Sequence, residues 1–204
     1  MTATGRPGAT RVATLIAKVI TEVCSPAVVV VLLPLAVGWQ ATGHRIGATV
    51  GWAAVVALFS SVLPMAFIIR GARLGRWDGH HVRNREGRLV PLTLGLASTA
   101  IGLVILLLGG APRAMVALDG AMLATLIGCL VITRWWKISL HAAVSSGAVV
   151  LLSLLYGPWL LLLGVLVALV GWSRTTLADH TAAQVLAGVA IAPVLGGVVF
   201  VLLR

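Results

Sequence analysis

A serine–arginine pair and a histidine in the last quarter of the chain have the types and spacing for chemistry on phosphate. Ser173 and Arg174 are followed by five residues and then by His180, which begins an apolar run. A guanidinium offers paired donors to phosphate oxygens, and a neutral imidazole can attack phosphorus when an acceptor holds its other nitrogen. The spacing favours a phosphate-binding arginine beside a nucleophilic histidine over the alternative, an orienting cation and an unrelated interfacial histidine.

A second polar segment, Lys137-Ile-Ser-Leu-His141, contains another histidine with a hydroxyl two residues before it. Ser139 can donate to a phosphate oxygen, and His141 can protonate a leaving oxygen as a general acid. The competing interpretation is an ordinary helix start capped by Ser139, with the Lys137 ammonium reaching towards the interface.

A third polar segment, DGHHVRNREGR over residues 78–88, contains Arg83, Arg85 and Arg88. These arginines are either further phosphate ligands or a basic loop that faces anionic lipid headgroups.

The amino-acid composition indicates that lipid surrounds much of the chain. The 204 residues are 60% hydrophobic and only 10% charged, whereas a soluble domain has about 25% charged residues. The net charge of +10 is typical of the positive-inside bias of membrane proteins, so we predict lipid as a partner and no nucleic acid.

Seven apolar runs are long enough to approach or cross about 30 Å of hydrocarbon. The sixth is short, so the sequence predicts an all-α transmembrane bundle of six to seven helices, in one integral membrane domain over 1–204 with a polar N-terminal tail at 1–19. Helices are expected because lipid cannot satisfy an unpaired backbone. The runs cover 20–39, 46–69, 89–109, 114–133, 139–156, 158–172 and 180–203.

The three polar segments are expected on one membrane face, because two predicted spans separate each from the next. Most cations share that face, and by the positive-inside bias it is cytoplasmic. The opposite face has only Arg45, Arg113 and Arg204.

Two further groups of polar residues have a simpler interpretation. Asp78, His80 and His81 lack the paired carboxylates or histidine spacing of a metal site, so we predict no metal and no other cofactor. Asp119 stands alone inside the fourth span, where a charge is costly, and a hydrogen bond to a neighbouring serine or threonine is expected.

Residues 173–188, SRTTLADHTAAQVLAG, resemble the third motif, SR-x5-H, of the PAP2 (type 2 phosphatidic acid phosphatase) superfamily. The WKISLH segment is similar to the second motif, PSGH, with Leu140 in place of glycine. HVRNREGRLVP resembles an Arg-rich variant of the first motif, K-x6-RP, that occurs in short bacterial and archaeal members. The resemblance covers Asp78 to Gly188.

By this resemblance the chain would have a PAP2-like core over 70–188 and would act in a bacterial plasma membrane as a lipid phosphate phosphatase. The substrate would be a polyprenyl phosphate or diphosphate or a phosphatidate-like lipid. His180 would form a phosphohistidine and His141 would be the general acid. The phosphate ligands would be Arg174, Ser139, Arg85 and Arg88, with Lys137 and Arg83 as further candidates.

One departure from the family affects the nucleophile. The family usually has an aspartate four residues after this histidine, where the chain has Gln184. An amide oxygen can accept an imidazole N–H but adds no negative charge, so Gln184 or Asp179 would orient His180. Two other functions stay open: a family member that binds lipid phosphates without hydrolysing them, and a transporter or scaffold whose arginines only set topology.

Overall fold

The computed structural model describes residues 7–76, 87 and 89–204, with side chains from Thr10 onward. Every regular element in these ranges is a helix, which confirms the predicted all-α fold. The eight helices are α1 (Pro7–Val23), α2 (Pro26–Ala41), α3 (Ile46–Arg73), α4 (Leu89–Leu108), α5 (Arg113–Thr133), α6 (Leu140–Tyr156), α7 (Pro158–Thr176, whose residues Pro158–Leu163 are a 3-10 helix) and α8 (Ala182–Leu203).

Five of these helices, α3, α4, α5, α7 and α8, are long and apolar enough to cross a membrane. Helices α1 and α2 meet at 44° and would make a sixth span if they are counted together. The apolar α6 has 17 residues, a length of about 25 Å, and is shorter than the others. The described residues therefore form a membrane-embedded helical protein with five candidate spans, or six with the bent pair, where the sequence predicted six to seven.

The first predicted span, 20–39, is divided at Cys24 and Ser25. Pro26 has no N–H to continue a helix and restricts the residue before it, while the Ser25 hydroxyl caps α2 by accepting from Val28 N at 3.4 Å. Helix α1 extends back to Pro7, so the segment interpreted as a polar tail, 1–19, is helical from that residue onward.

The apolar core lies around α5, which packs against α2, α3, α4 and α8. Met115, Leu118 and Ala121 of α5 are buried against side chains of α2, α4, α6 and α8. These neighbours are Leu33, Val37, Leu106, Leu151 and Phe200. The start of α6, the end of α7 and the start of α8 lie together at one end of the bundle.

A π-helical turn at Leu58–Val62 interrupts α3 just before Pro64. Proline supplies no N–H to the carbonyl four residues earlier, and such turns change which way nearby side chains point. Here Ser60 donates to Asp119 Oδ1 at 2.9 Å. This confirms the hydrogen bond that the sequence predicted for the buried carboxyl group.

Helix α8 approaches the first turn of α6 closely at Gly188. A Cβ atom at this position would lie 2.5 Å from the Ser139 carbonyl oxygen and 3.2 Å from Ala142 Cβ. The backbone cannot move away without separating the two helix starts that follow the polar segments. A residue without a side chain is therefore required there.

We expect Gly188→Ala to lower the free energy of unfolding by roughly 1–3 kcal/mol, the usual effect of overpacking. Thermal unfolding of the purified protein in detergent measures it. Gly51→Ala is the matched control, because a Cβ there meets nothing within 4 Å and both changes gain the same helix propensity. Equal melting temperatures for the two variants would show that the close approach is not required.

Candidate functional site

The site begins at the start of α6. Ser139 has extended backbone angles, and its hydroxyl caps the helix by accepting from Ala142 N at 3.4 Å. His141 therefore lies in the first helical turn, where it is buried. The cap fixes the direction in which this turn presents the imidazole.

The turn between α7 and α8 brings the second histidine to the same region. Asp179 N and Ala178 N donate to the carbonyls of Arg174 and Thr175 at 3.1 and 3.0 Å. This is the Schellman pattern that ends many helices with a left-handed residue, usually glycine. Ala178 occupies that position with φ 53°. The reversal returns the chain alongside Arg174.

The end of this turn is fixed by a reciprocal cap on α8. Thr181 Oγ1 accepts from Gln184 N at 3.3 Å, and Gln184 Oε1 accepts from Thr181 N at 3.2 Å. This capping box satisfies two backbone donors that the helix itself cannot. It also holds the Gln184 side chain against the residue that precedes the cap, which is His180.

Arg174 is almost completely enclosed, with only 1% of its side chain exposed. Its Nη2 lies 2.8 Å from Asp179 Oδ2, and its Nη1 donates to Thr21 Oγ1 of α1 at 3.3 Å. A buried cation needs such a partner because removing it from water costs several kcal/mol. The pair therefore joins α7, the following turn and α1.

Lys137 connects this turn to the segment before α6. Its ammonium donates to the Asp179 carbonyl oxygen at 2.5 Å. A second connection is made by Ser139 N, which donates to the Gln184 carbonyl oxygen at 3.3 Å. The starts of α6 and α8 are thus joined by hydrogen bonds as well as by the contact at Gly188.

The His180 ring is oriented by Gln184. The Nδ1 atom lies 3.2 Å from Gln184 Oε1. Because the same oxygen accepts from Thr181 N, it is the acceptor end of the amide that faces the ring. In the neutral tautomer that donates from Nδ1 to this oxygen, the lone pair is on Nε2.

A cavity of about 430 Å³ adjoins these groups, and His141, Arg174 and His180 all contribute to its wall. This volume is within the range of ligand pockets. Three residues from two sequence-distant segments therefore share one cavity. A cation and two imidazoles at its end can bind a phosphoryl group, exchange protons with it and attack it.

The other residues that the sequence selected lie behind this wall or elsewhere. Ser139 caps α6, Lys137 donates to the Asp179 carbonyl oxygen, and the Asp179 carboxylate pairs with Arg174. None of the three contributes to the cavity wall. Arg83, Arg85 and Arg88 lie outside the described residues.

Helix α1 contributes two residues that sequence reasoning missed. Thr21 accepts from Arg174 and lies 3.2 Å from Ser173 Oγ, and Glu22 contributes to the cavity wall. The available signal was a Thr-Glu pair within an otherwise apolar run, just before Ser25 and Pro26. In the sequence the pair lies at the start of a predicted span, 20–39, and has no assigned role.

Within the described ranges, no three histidine, cysteine, aspartate or glutamate side chains are close enough to hold a metal ion. The chain matches no protein-family model, no curated protein and no solved structure. Fold and site together define a membrane-embedded helical protein whose buried arginine and two histidines share one cavity.

We expect Asp179→Ala to destabilise the protein by about 3–5 kcal/mol, because it leaves a buried guanidinium without its carboxylate. Adding Arg174→Met should restore most of the loss, since an apolar chain of similar length removes the charge. Unfolding of both variants in detergent tests this. An Asp179→Ala protein as stable as wild type would mean that the ion pair contributes little to the fold.

Proposed function

We propose that the chain is a membrane-embedded lipid phosphatase of the PAP2 type, which hydrolyses a phosphomonoester or diphosphate of a lipid through a phosphohistidine. One observation carries the proposal: Arg174, His141 and His180 contribute to a single cavity. The sequence resemblance assigns the same three residues to phosphate binding, proton donation and attack. Geometry and resemblance are independent of each other.

His180 is assigned as the nucleophile. In the neutral tautomer that donates from Nδ1 to Gln184 Oε1, the lone pair is on Nε2, and a neutral imidazole nitrogen can form a covalent intermediate. Attack forms the Nε2–P bond and breaks the bond from phosphorus to the leaving oxygen. The Gln184 amide would stabilise the positive charge that develops on the ring only through its dipole, because it has no net charge.

His141 is assigned as the general acid. A protonated imidazole has a pKa suited to giving its proton to the departing alcohol or phosphate oxygen near neutral pH. The neutral ring can then accept a proton from the water that cleaves the phosphohistidine. After these two steps both histidines have regained their starting protonation states and the phosphoryl group has been transferred to water. The steps require no metal.

Arg174 is assigned to the phosphoryl oxygens, where a fixed cation stabilises the charge of the transition state. We assign Lys137 and Ser139 to positioning, because their polar atoms hold Asp179 O and Ala142 N. By the resemblance, Arg85 and Arg88 are further phosphate ligands, with Arg83 in reserve.

The substrate headgroup would meet the site from the end of the bundle that carries most of the cations. Arg70, Arg73, Arg134 and Lys137 belong to this end, and the positive-inside bias places it in the cytoplasm. Polyprenyl phosphates, polyprenyl diphosphates and phosphatidate all present a suitable group there.

A second candidate is a protein that binds lipid phosphates without hydrolysing them. The ion pair favours it, because Asp179 neutralises the guanidinium that would attract a phosphate. The uncharged Gln184 favours it as well, since a nearby carboxylate would support attack by His180 more strongly.

We expect His180→Asn to abolish phosphate release from a panel of phosphatidate, polyprenyl phosphate and polyprenyl diphosphate. The residual rate should be at least 100-fold lower, the loss typical of removing a catalytic side chain. His44→Asn is the matched control, because His44 lies in the α2–α3 turn, where it packs against Trp39. Labelled substrate should also leave acid-labile phosphate on wild type and none on His180→Asn.

Wild-type protein that binds the panel but releases no phosphate would support the second candidate, provided that binding requires Arg174. Equal release by wild type and His180→Asn would remove His180 from the mechanism. Absence of both binding and release would leave the arginines with a role in topology alone.

We expect Gln184→Glu to increase phosphohistidine formation about tenfold, the effect of about one pKa unit. The change keeps the capping box, which accepts glutamate at this position, and adds a carboxylate beside the ring. That charge raises the imidazole pKa, so the acidic limb of the pH–rate profile should move to higher pH. A profile that does not move would show that residue 184 does not orient the nucleophile.

A further inference from the structure

The cavity extends far beyond the polar end that contains the histidines. Along α6 it is bounded by residues from His141 to Leu151, a rise of about 15 Å. This is about half the thickness of the hydrocarbon core. A phosphoryl group occupies only the polar end, so most of the cavity is available to another part of the ligand.

The wall of this deeper part suits hydrocarbon. Most lining side chains are apolar, and three of the hydroxyl groups among them donate to groups inside the protein. Ser60 donates to Asp119, Ser61 to the Ala27 carbonyl, and Thr125 to the Ala121 carbonyl, at 2.8 to 3.0 Å. A polar ligand would therefore lose its hydration without gaining partners there. An alkyl or prenyl chain would lose nothing.

A groove on the outer surface between α2 and α3 lies against the same wall. It shares Ala27, Ser61, Met65 and Ile69 with the cavity. Its other lining residues include Leu32 and Val62, which are 58% and 50% exposed and thus face lipid. Only a few side chains, including the small Ala27 and the flexible Met65, separate cavity from bilayer.

The separating wall coincides with two local features. The π-helical turn of α3 contains Ser61, and the Ser61 hydroxyl donates to the Ala27 carbonyl across the two helices at 3.0 Å. This hydrogen bond joins α2 to α3 where cavity and groove meet. A chain that passes between the two helices at this point would displace this hydrogen bond and the Met65 side chain.

We propose that the cavity holds the hydrocarbon chain of a lipid phosphate, and that the chain enters sideways from the bilayer between α2 and α3. The position of the phosphate at Arg174 rests on the proposed function. The chain would then lie inside the bundle with its end near Leu151. Long-chain lipids would be preferred over short-chain analogues of the same headgroup, because a longer chain makes more packing contacts with the cavity wall.

The test uses the full-length protein in phosphatidylcholine vesicles and a lipid phosphate with a photoreactive diazirine at the end of its chain. Mass spectrometry after irradiation should find the label on inward-facing residues of α5 and α6, such as Met122 and Leu151. Labels confined to outward-facing residues, such as Leu32 and Val62, would overturn the proposal.

Gly95→Leu should fill the cavity, because Gly95 belongs to its wall and a Cβ there meets only ordinary contacts at 3.7 and 4.0 Å. We expect at least tenfold lower interior labelling and kcat/KM for the long-chain lipid, with turnover of a short-chain analogue unchanged. Gly51→Leu, at an open position on α3, is the matched control. Ala148→Leu, also in the wall, serves if Gly95→Leu does not fold.

The path is tested by Ala66→Trp, which fills the groove without belonging to the cavity wall. It should slow interior labelling, whereas Ala54→Trp elsewhere on α3 should not. Equal labelling rates would exclude this path. If the wild-type protein is labelled in its interior but releases no phosphate, the proposed hydrolysis is wrong and the proposed site for the hydrocarbon chain stands. Long-chain hydrolysis unaffected by Gly95→Leu would retain hydrolysis and overturn the chain site.

Discussion

A guanidinium enclosed among apolar helices is tolerated only with a partner, because its desolvation costs several kcal/mol. Arg174 obtains this partner from Asp179, five residues later in the chain, and the Schellman turn at Ala178 makes that return possible. Thr21 of α1 and the Lys137 ammonium attach to the same pair. Satisfying one buried charge therefore fixes how α1, α7 and the starts of α6 and α8 meet, and both imidazoles are positioned as a consequence.

The supports of the site and the groups at its surface are different residues. Lys137, Ser139 and Asp179 direct their polar atoms at neighbouring protein groups, while His141, Arg174 and His180 face the cavity. A motif therefore contains chemically reactive residues together with residues that hold them. Gln184 supports the site in two ways, since one oxygen completes the helix cap and contacts the His180 ring.

The site lies at one end of a long apolar cavity, and this arrangement matches the two parts of a phosphorylated lipid. A phosphorylated lipid has a charged end that needs cations and a chain that avoids water. One end of the cavity meets the first requirement, and the other end meets the second. The π-helical turn in α3 is part of this arrangement, because it directs Ser60 to Asp119 and Ser61 to Ala27. The Ser60 and Ser61 hydroxyls thus donate to groups of the protein and not to the cavity.

The sequence by itself determined the helical membrane class, since composition excluded a water-facing surface and lipid permits no unpaired backbone. It also selected the histidines and Arg174, because residue type and spacing are local properties, and it predicted that Asp119 needs a hydroxyl partner. Tertiary structure alone decided that Asp179 pairs with Arg174, that Ser139 acts as a cap, and that Thr21 and Glu22 join the site. These depend on which helices pack together, and apolar faces of similar hydropathy do not encode their partners. The cavity followed from the same packing, whereas the break at Ser25 is local, since Pro26 and the Ser25 cap produce it.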